Sequence, residues 1–255
     1  MTLLSVNNLQ IKFGNFSAVK SISFDLNNRE TLAIVGESGS GKSVSALSIL
    51  RLLPSYANVS GSITLDGQEI LTANSEEIRQ IRGGKIAMVF QEPMTSLNPL
   101  HSLAKQIGEA LELHQGLKGE AARAETIKLL RMVELPEARL NALPHELSGG
   151  QRQRAMIAMA LANQPKILIA DDPTTALDVT VQAQVLKLMK ELQARIGMAM
   201  LFITHDLSIV RRFADRVAVM YQGEIVEQGS VDKIFSNPTH EYTKKLIGSE
   251  PGLKN

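Results

Sequence analysis

The chain contains no cysteine, which excludes disulfides, thiolate zinc sites, iron–sulfur clusters and cysteine nucleophiles, and suits a reducing compartment. It also lacks an excess of either charge. Lys and Arg number 27 against 26 Asp and Glu, a net charge of +1, so no broad basic face is available and no nucleic-acid partner is expected. No apolar run approaches the ~18 residues that span a bilayer. The first ten residues do not carry the basic stretch and apolar core of a secretory leader. These absences predict a soluble, cytoplasmic protein that reaches a membrane only through a partner. Internal repeats and low-complexity tracts are missing as well. What is present is ordinary for a globular protein: 255 residues, 44% hydrophobic and 21% charged, room for one large or two small domains with a substantial core.

Along the chain, Ile22, Phe24 and Leu26 alternate with polar neighbours as in a strand with one buried face, and Asn27-Asn28 supplies a turn. An apolar strand over 31–35 runs into a glycine-rich loop and then a helix from 43 to about 53, stopped by Pro54. Ile63 and Leu65 before Asp66-Gly67 predict a hairpin, and 86–90 is a short apolar run ending at Gln91. From 100 to 147 the spacing turns helical, and a further helix is expected over 149–161. Buried strands over 167–170 and 200–204, helices over 179–195 and 209–214, and a hairpin at Gln222-Gly223 complete the pattern. Such alternation indicates an α/β fold with a parallel sheet covered on both faces.

Three places carry chemistry. Gly36-Glu37-Ser38-Gly39-Ser40-Gly41-Lys42-Ser43 fits G-x-x-x-x-G-K-[ST] in full, between a predicted strand and a predicted helix. Glycines let successive backbone N–H groups converge on phosphate oxygens at a helix start, Lys42 reaches the β and γ phosphates, and the Ser43 hydroxyl can ligate Mg²⁺. The apolar run 166–170 ends in Asp171-Asp172, which delivers carboxylates to a metal beside such a loop. Asp171 is the expected Mg²⁺ contact, through water, and Asp172 the group that orients the attacking water. A solvated strand end with an Asx turn before Pro173 is the competing reading. Third, Leu147-Ser148-Gly149-Gly150-Gln151 opens a helix that Ser148 can cap while the glycines leave amides open to an anion; a capped helix with no ligand is the plainer alternative.

In combination and order these motifs resemble the ATP-binding cassette ATPases, over nearly the whole chain. The resemblance implies a RecA-like P-loop core with an antiparallel β subdomain (1–99 and 162–235), an inserted helical signature subdomain (100–161) and a C-terminal tail (236–255) that could begin a linker to a second cassette. It implies ATP and Mg²⁺ as ligands. It makes 36–43 the Walker A loop, 167–171 Walker B, Gln91 the Q-loop glutamine at the Mg²⁺ and γ-phosphate, Ala176-Leu177-Asp178 the D-loop, and His205 the switch histidine. Phe13 lies where the family stacks an aromatic on adenine, although a core role is open and Phe16 competes. Because Ser148, Gly149, Gly150 and Gln151 act on the nucleotide of the opposite subunit in this family, a head-to-tail dimer with a second cassette is implied.

The segments Phe90-Gln91-Glu92-Pro93-Met94-Thr95-Ser96-Leu97-Asn98-Pro99 and Asn237-Pro238-Thr239-His240-Glu241-Tyr242-Thr243 resemble the peptide and nickel importer branch. Within it the similarity is greatest to the N-terminal half of ATPases with two cassettes in one polypeptide, which import peptides and microcin C. This implies a subunit at the cytoplasmic face of the inner membrane that powers peptide import, with transmembrane permeases as partners and an extracytoplasmic binding protein as an indirect one. One position departs from the family: Asp172 stands where glutamate is usual, retracting the carboxylate by about 1.5 Å, a displacement that can cost on the order of a hundredfold in rate. Two rivals follow, a soluble cassette protein of nucleic-acid repair or translation, and a hydrolysis-impaired cassette that binds ATP.

Overall fold

A computed structural model describes residues 1–91, 96–175 and 177–249. Their contacts divide the chain into two compact units, 1–78 with 199–255, and 79–198.

The first unit opens with a long antiparallel hairpin, β1 (Thr2–Phe13) and β2 (Phe16–Asn27). After β3 (Thr31–Val35) and α1 (Lys42–Ile49), strand β4 (Ala57–Leu65) returns along the other edge of β1, and the short β5 (Gln68–Glu69) closes the sheet in the order β2-β1-β4-β5. The buried set of β1, Leu3, Leu4, Val6, Leu9 and Ile11, does not keep a strict period of two. The register shifts between Val6 and Leu9, where Asn8 takes a φ of 48°, so the strand bulges there and re-aims its apolar residues. That irregularity hides the strand from a pattern search.

In the same unit β3 pairs in parallel with β8 (Ala199–Thr204) and with β9 (Arg216–Tyr221), and β10 (Glu224–Ser230) runs back along β9. Every residue of β3 and β8 is buried, which is why both read as uninterrupted apolar runs. Helices α7 (Leu207–Phe213), α8 (Val231–Ser236) and α9 (Glu241–Gly248) contribute Leu207, Val210, Val231, Ile234 and Tyr242 to a core shared with Ala33, Val35, Val217 and Val219. The helix after the loop is shorter than expected. It ends at Ile49 rather than near Leu53, because Arg51 takes a left-handed φ of 50° and its guanidinium donates to the Ala73 carbonyl, turning the chain before Pro54 acts. Helix α2 (Ser75–Ile81) spans the boundary between the units.

The second unit pairs β6 (Ile86–Val89) in parallel with β7 (Ile167–Asp171) and packs helices α3 (Leu103–Gln115), α4 (Gly119–Met132), α5 (Gly149–Leu161) and α6 (Val179–Ile196) around them. Buried Gln106 on α3 holds the segment entering that helix: its Oε1 accepts from the Asn98 amide and its Nε2 donates to the Asn98 and His101 carbonyls. Within the branch-like segment 90–99, Glu92 to Thr95 lie outside the described residues, as do Ala176 and the chain from Glu250 onward.

Candidate functional site

The loop between β3 and α1 has backbone geometry that few side chains tolerate. Gly36, Gly39 and Gly41 have φ of 153°, 79° and 106°. A Cβ on Gly36 would lie 2.0 Å from the Met220 carbonyl oxygen, and one on Gly41 would lie 2.7 Å from the Ala18 carbonyl oxygen. The glycines therefore serve close backbone approach as well as turning. The loop is also tied down, since the Gly223 amide donates to the Ser40 carbonyl at 3.0 Å and the Ser40 amide to the Glu37 carbonyl at 3.2 Å.

Two features of this loop suit a bound anion. Helix α1 starts at left-handed Gly41 with no side chain capping its amides, whereas α3, α5, α6 and α7 are capped by Ser102, Ser148, Asp178 and Asp206. The Ser40 hydroxyl is buried without a hydrogen-bond partner. A helix start without a side-chain cap and an orphaned hydroxyl suit phosphate oxygens. Lys42 is buried at 7% exposure, and its Nζ donates to the Gly36 and Glu37 carbonyls at 2.8 and 2.9 Å. The lysine is thus held on the carbonyls of its own loop.

Elsewhere in the first unit, His205 is exposed at the end of β8, and the adjacent Asp206 caps α7, accepting from the Ser208 and Ile209 amides. Phe13 is half-buried at the end of β1, edge-on to Tyr56 with ring centroids 6.0 Å apart, while Phe16 is 66% exposed.

In the second unit, Asp171 is buried at the end of β7 and Asp172 is half-buried with a φ of 43°, left-handed for a residue that is not glycine. The Asp172 carbonyl accepts from the Thr175 amide and hydroxyl, and Gln182 of α6 donates to Thr174 Oγ1 at 3.0 Å, which fixes the turn leaving the strand. Ser148 caps α5 in a reciprocal box: its hydroxyl accepts from the Gln151 amide at 3.3 Å and the Gln151 side chain accepts from the Ser148 amide at 3.2 Å. The box leaves the Gly149 and Gly150 amides among the four that a helix start cannot pair internally. The geometry also brings this helix start to 177–181. A Cβ on Gly150 would lie 2.6 Å from Val181 Cγ1, and one on Gly149 3.4 Å from Leu177. Asp178 is exposed and caps α6, accepting from the Val181 amide at 3.0 Å. Gln91 is exposed just beyond β6.

Residues 19–175 match the family model described as ABC transporter. The chain belongs to the ABC transporter family. Its α/β cassette fold is that of the solved ATP-binding cassettes. The cassette MJ0796, in a dimeric post-hydrolysis state bound to ADP and Pi, superposes with a TM-score of 0.79 at 31% identity, covering 90% of this chain and 99% of that one. Among curated relatives, the peptidoglycan transport ATP-binding protein YejF of Agrobacterium fabrum is 58% identical across 98% of this chain and 47% of its own length. The oligopeptide transport ATP-binding protein OppD of Bacillus subtilis is 51% identical across 99% of this chain and 73% of its own. The chain thus spans about half the length of the first of these relatives. Three parts of this ABC cassette escape sequence reasoning. Tyr56 beside Phe13 and the left-handed backbone of Asp172 have no local pattern. Tyr242, whose hydroxyl accepts from the Glu37 amide at 3.0 Å, lies 205 positions from its partner.

Proposed function

We propose that the chain is the ATP-binding and hydrolysing part of an importer for peptides or peptide-like compounds, working at the cytoplasmic face of the inner membrane beneath transmembrane permeases. The observation that carries the nucleotide reading is the uncapped start of α1 below a loop with a buried, partnerless Ser40 hydroxyl. The import reading rests on the relatives named for peptidoglycan and oligopeptide transport.

On this reading residues 36–43 hold the ATP phosphates and Lys42 faces the β and γ groups. Among the described residues no three Asp, Glu or His side chains converge on a metal position. A donor set of one hydroxyl, one amide oxygen and one carboxylate fits Mg²⁺, which keeps water and takes phosphate oxygens. Ser43, Gln91 and Asp171 would hold it, and it would neutralise phosphate charge. Asp172 accepts a hydrogen bond from the attacking water, and His205 steadies the γ-phosphate. Phe13 receives the adenine by stacking. Ser148, Gly149, Gly150 and Gln151, with Asp178 beside them, act on the nucleotide of a second, head-to-tail cassette, so closure and hydrolysis belong to the dimer.

Replacing Lys42 by alanine tests the core of this proposal. Calorimetric titration with Mg·ATP is expected to show affinity falling at least a hundredfold, because the only cation of the loop is removed. Near-unchanged affinity would move the nucleotide site elsewhere. Co-purification of membrane proteins rather than nucleic acid is the expected sign of the transport role.

A further inference from the structure

The segment after β10 returns to the phosphate loop. Residues 237–240 lead into α9, and the Glu227 carboxylate of β10 accepts from the Thr239 amide and hydroxyl, both at 2.8 Å, and from the His240 amide at 3.0 Å. The Thr243 hydroxyl approaches the same carboxylate without meeting hydrogen-bond geometry. Partial burial works to raise the pKa of Glu227, but the Thr243, Thr239 and His240 groups outweigh it and hold the carboxyl at about 2. At neutral pH the clamp is an anion gripping the start of α9.

One turn into that helix, Tyr242 is 8% exposed, stacked on Tyr221 with centroids 4.1 Å apart, and seated in the core with Val35 of β3. Burial is the chief cause that raises its phenol above the usual 10, so it is neutral and able to accept from an amide at physiological pH. The amide it accepts from, that of Glu37, belongs to the peptide plane whose carbonyl is the Gly36 oxygen. That oxygen accepts from Lys42 Nζ at 2.8 Å. A single planar peptide is therefore held at both ends, by Tyr242 on its N–H and by Lys42 on its C=O. Rotating the plane breaks both bonds together.

We propose that Tyr242 is a positioning residue for the phosphate loop: with Glu227 as its outer clamp, the 237–248 segment fixes the Gly36–Glu37 peptide plane and so makes nucleotide affinity depend on how this segment is docked. This rests on the reading of 36–43 as the nucleotide loop. Phenylalanine at 242 keeps the ring in its core and on Tyr221 but leaves the Glu37 amide without its acceptor, so the loop loses a constraint that favours the binding-competent form.

The test is titration of the full 255-residue chain with a fluorescent ATP analogue in Mg²⁺, comparing wild type, Tyr242→Phe, Glu227→Gln and Lys42→Ala, with a thermal melt of each. Tyr242→Phe is expected to raise the dissociation constant roughly three- to tenfold at a near-normal melting temperature. Glu227→Gln, which leaves both tyrosines in place, is expected to shift it in the same direction by less. Assayed in the assembled transporter, both are expected to raise KM for ATP with kcat nearly constant, a split that a loss of stability alone does not produce. Unchanged affinity in both variants, while Lys42→Ala abolishes binding, overturns the role of Tyr242 and leaves the loop assignment intact. Unchanged affinity in Lys42→Ala overturns the loop assignment and this inference with it. Should Tyr242→Phe melt early, the Glu227→Gln titration decides between the same outcomes.

Discussion

Asp172 combines a short carboxylate with a backbone φ of 43°. Aspartate enters the left-handed region more readily than glutamate, because its short polar side chain can bond locally, so the residue suits the turn that Thr175 and Gln182 hold in place. Two terms then oppose each other in Asp172→Glu. The backbone preference is worth at most ~1–2 kcal/mol, whereas a carboxylate displaced by about 1.5 Å can cost a hundredfold in rate, on the order of 2.7 kcal/mol of barrier. Positioning outweighs conformation. Turnover of the assembled transporter is expected to rise in Asp172→Glu with little change in ATP affinity, and steady-state hydrolysis measures it. Equal or lower turnover would mean that the surrounding site is built for aspartate.

Among the elements, α5 carries two duties at its start. Its capping box contributes to folding, and removing such a serine costs about 1 kcal/mol. Ser148→Ala is expected to lower the melting temperature by a few degrees and leave ATP affinity of the isolated chain unchanged. Hydrolysis by the dimer should fall much further; a parallel loss of monomer affinity would refute action on the opposite cassette. This helix was legible in the sequence because cap, glycines and apolar spacing lie within fifteen residues. Strands β3, β7 and β8 were legible for a different reason, since burial on both faces leaves no polar interruption. The bulge at Asn8 broke the alternation of β1, so the longest hairpin of the chain left only the β2 half visible. Helices α8 and α9 were not read from the sequence, and what seats α9 is Glu227 and the tyrosine pair, contacts no local window contains. The motif residues were found because the chemistry demands them at fixed spacing. Their supports were not, because packing partners can come from anywhere in the chain.

For the whole molecule, three groups shifted downward, Glu227, Glu69 and His114, act on acid stability in one direction. The carboxyls of Glu227 and Glu69 lie below their ordinary range: for Glu69 burial opposes the shift, but the donors from Ser62, Leu71 and Ile63 prevail. A carboxylate so lowered gives its full stabilisation above ~4.5 and loses it as pH falls through the folded value, about 2 for Glu227. His114 is lowered by burial and by Arg79, so the folded chain binds its proton less readily than the unfolded one, and stability declines as pH drops below ~6.5. Melting temperature is therefore expected to be level from pH 7 to 8, to slip below ~6.5, and to fall steeply below ~4.5. His114→Phe should abolish the first decline and leave the second, and a melting profile flat to pH 5 in the parent chain would contradict the assignment.

The Gly223 amide on the Ser40 carbonyl has a consequence for synthesis. The glycine-rich loop 36–43 leaves the ribosome early, but β8 beside β3, the Met220 carbonyl against Gly36 and the Gly223 donor are encoded some 160 to 190 residues later. Closing such separations comes late in any folding order, since the ends must meet before the contacts repay the lost chain entropy. A nascent chain arrested near residue 195 would display the complete motif and bind no nucleotide, so ATP cannot serve as a ligand that guides the earlier folding of its own site.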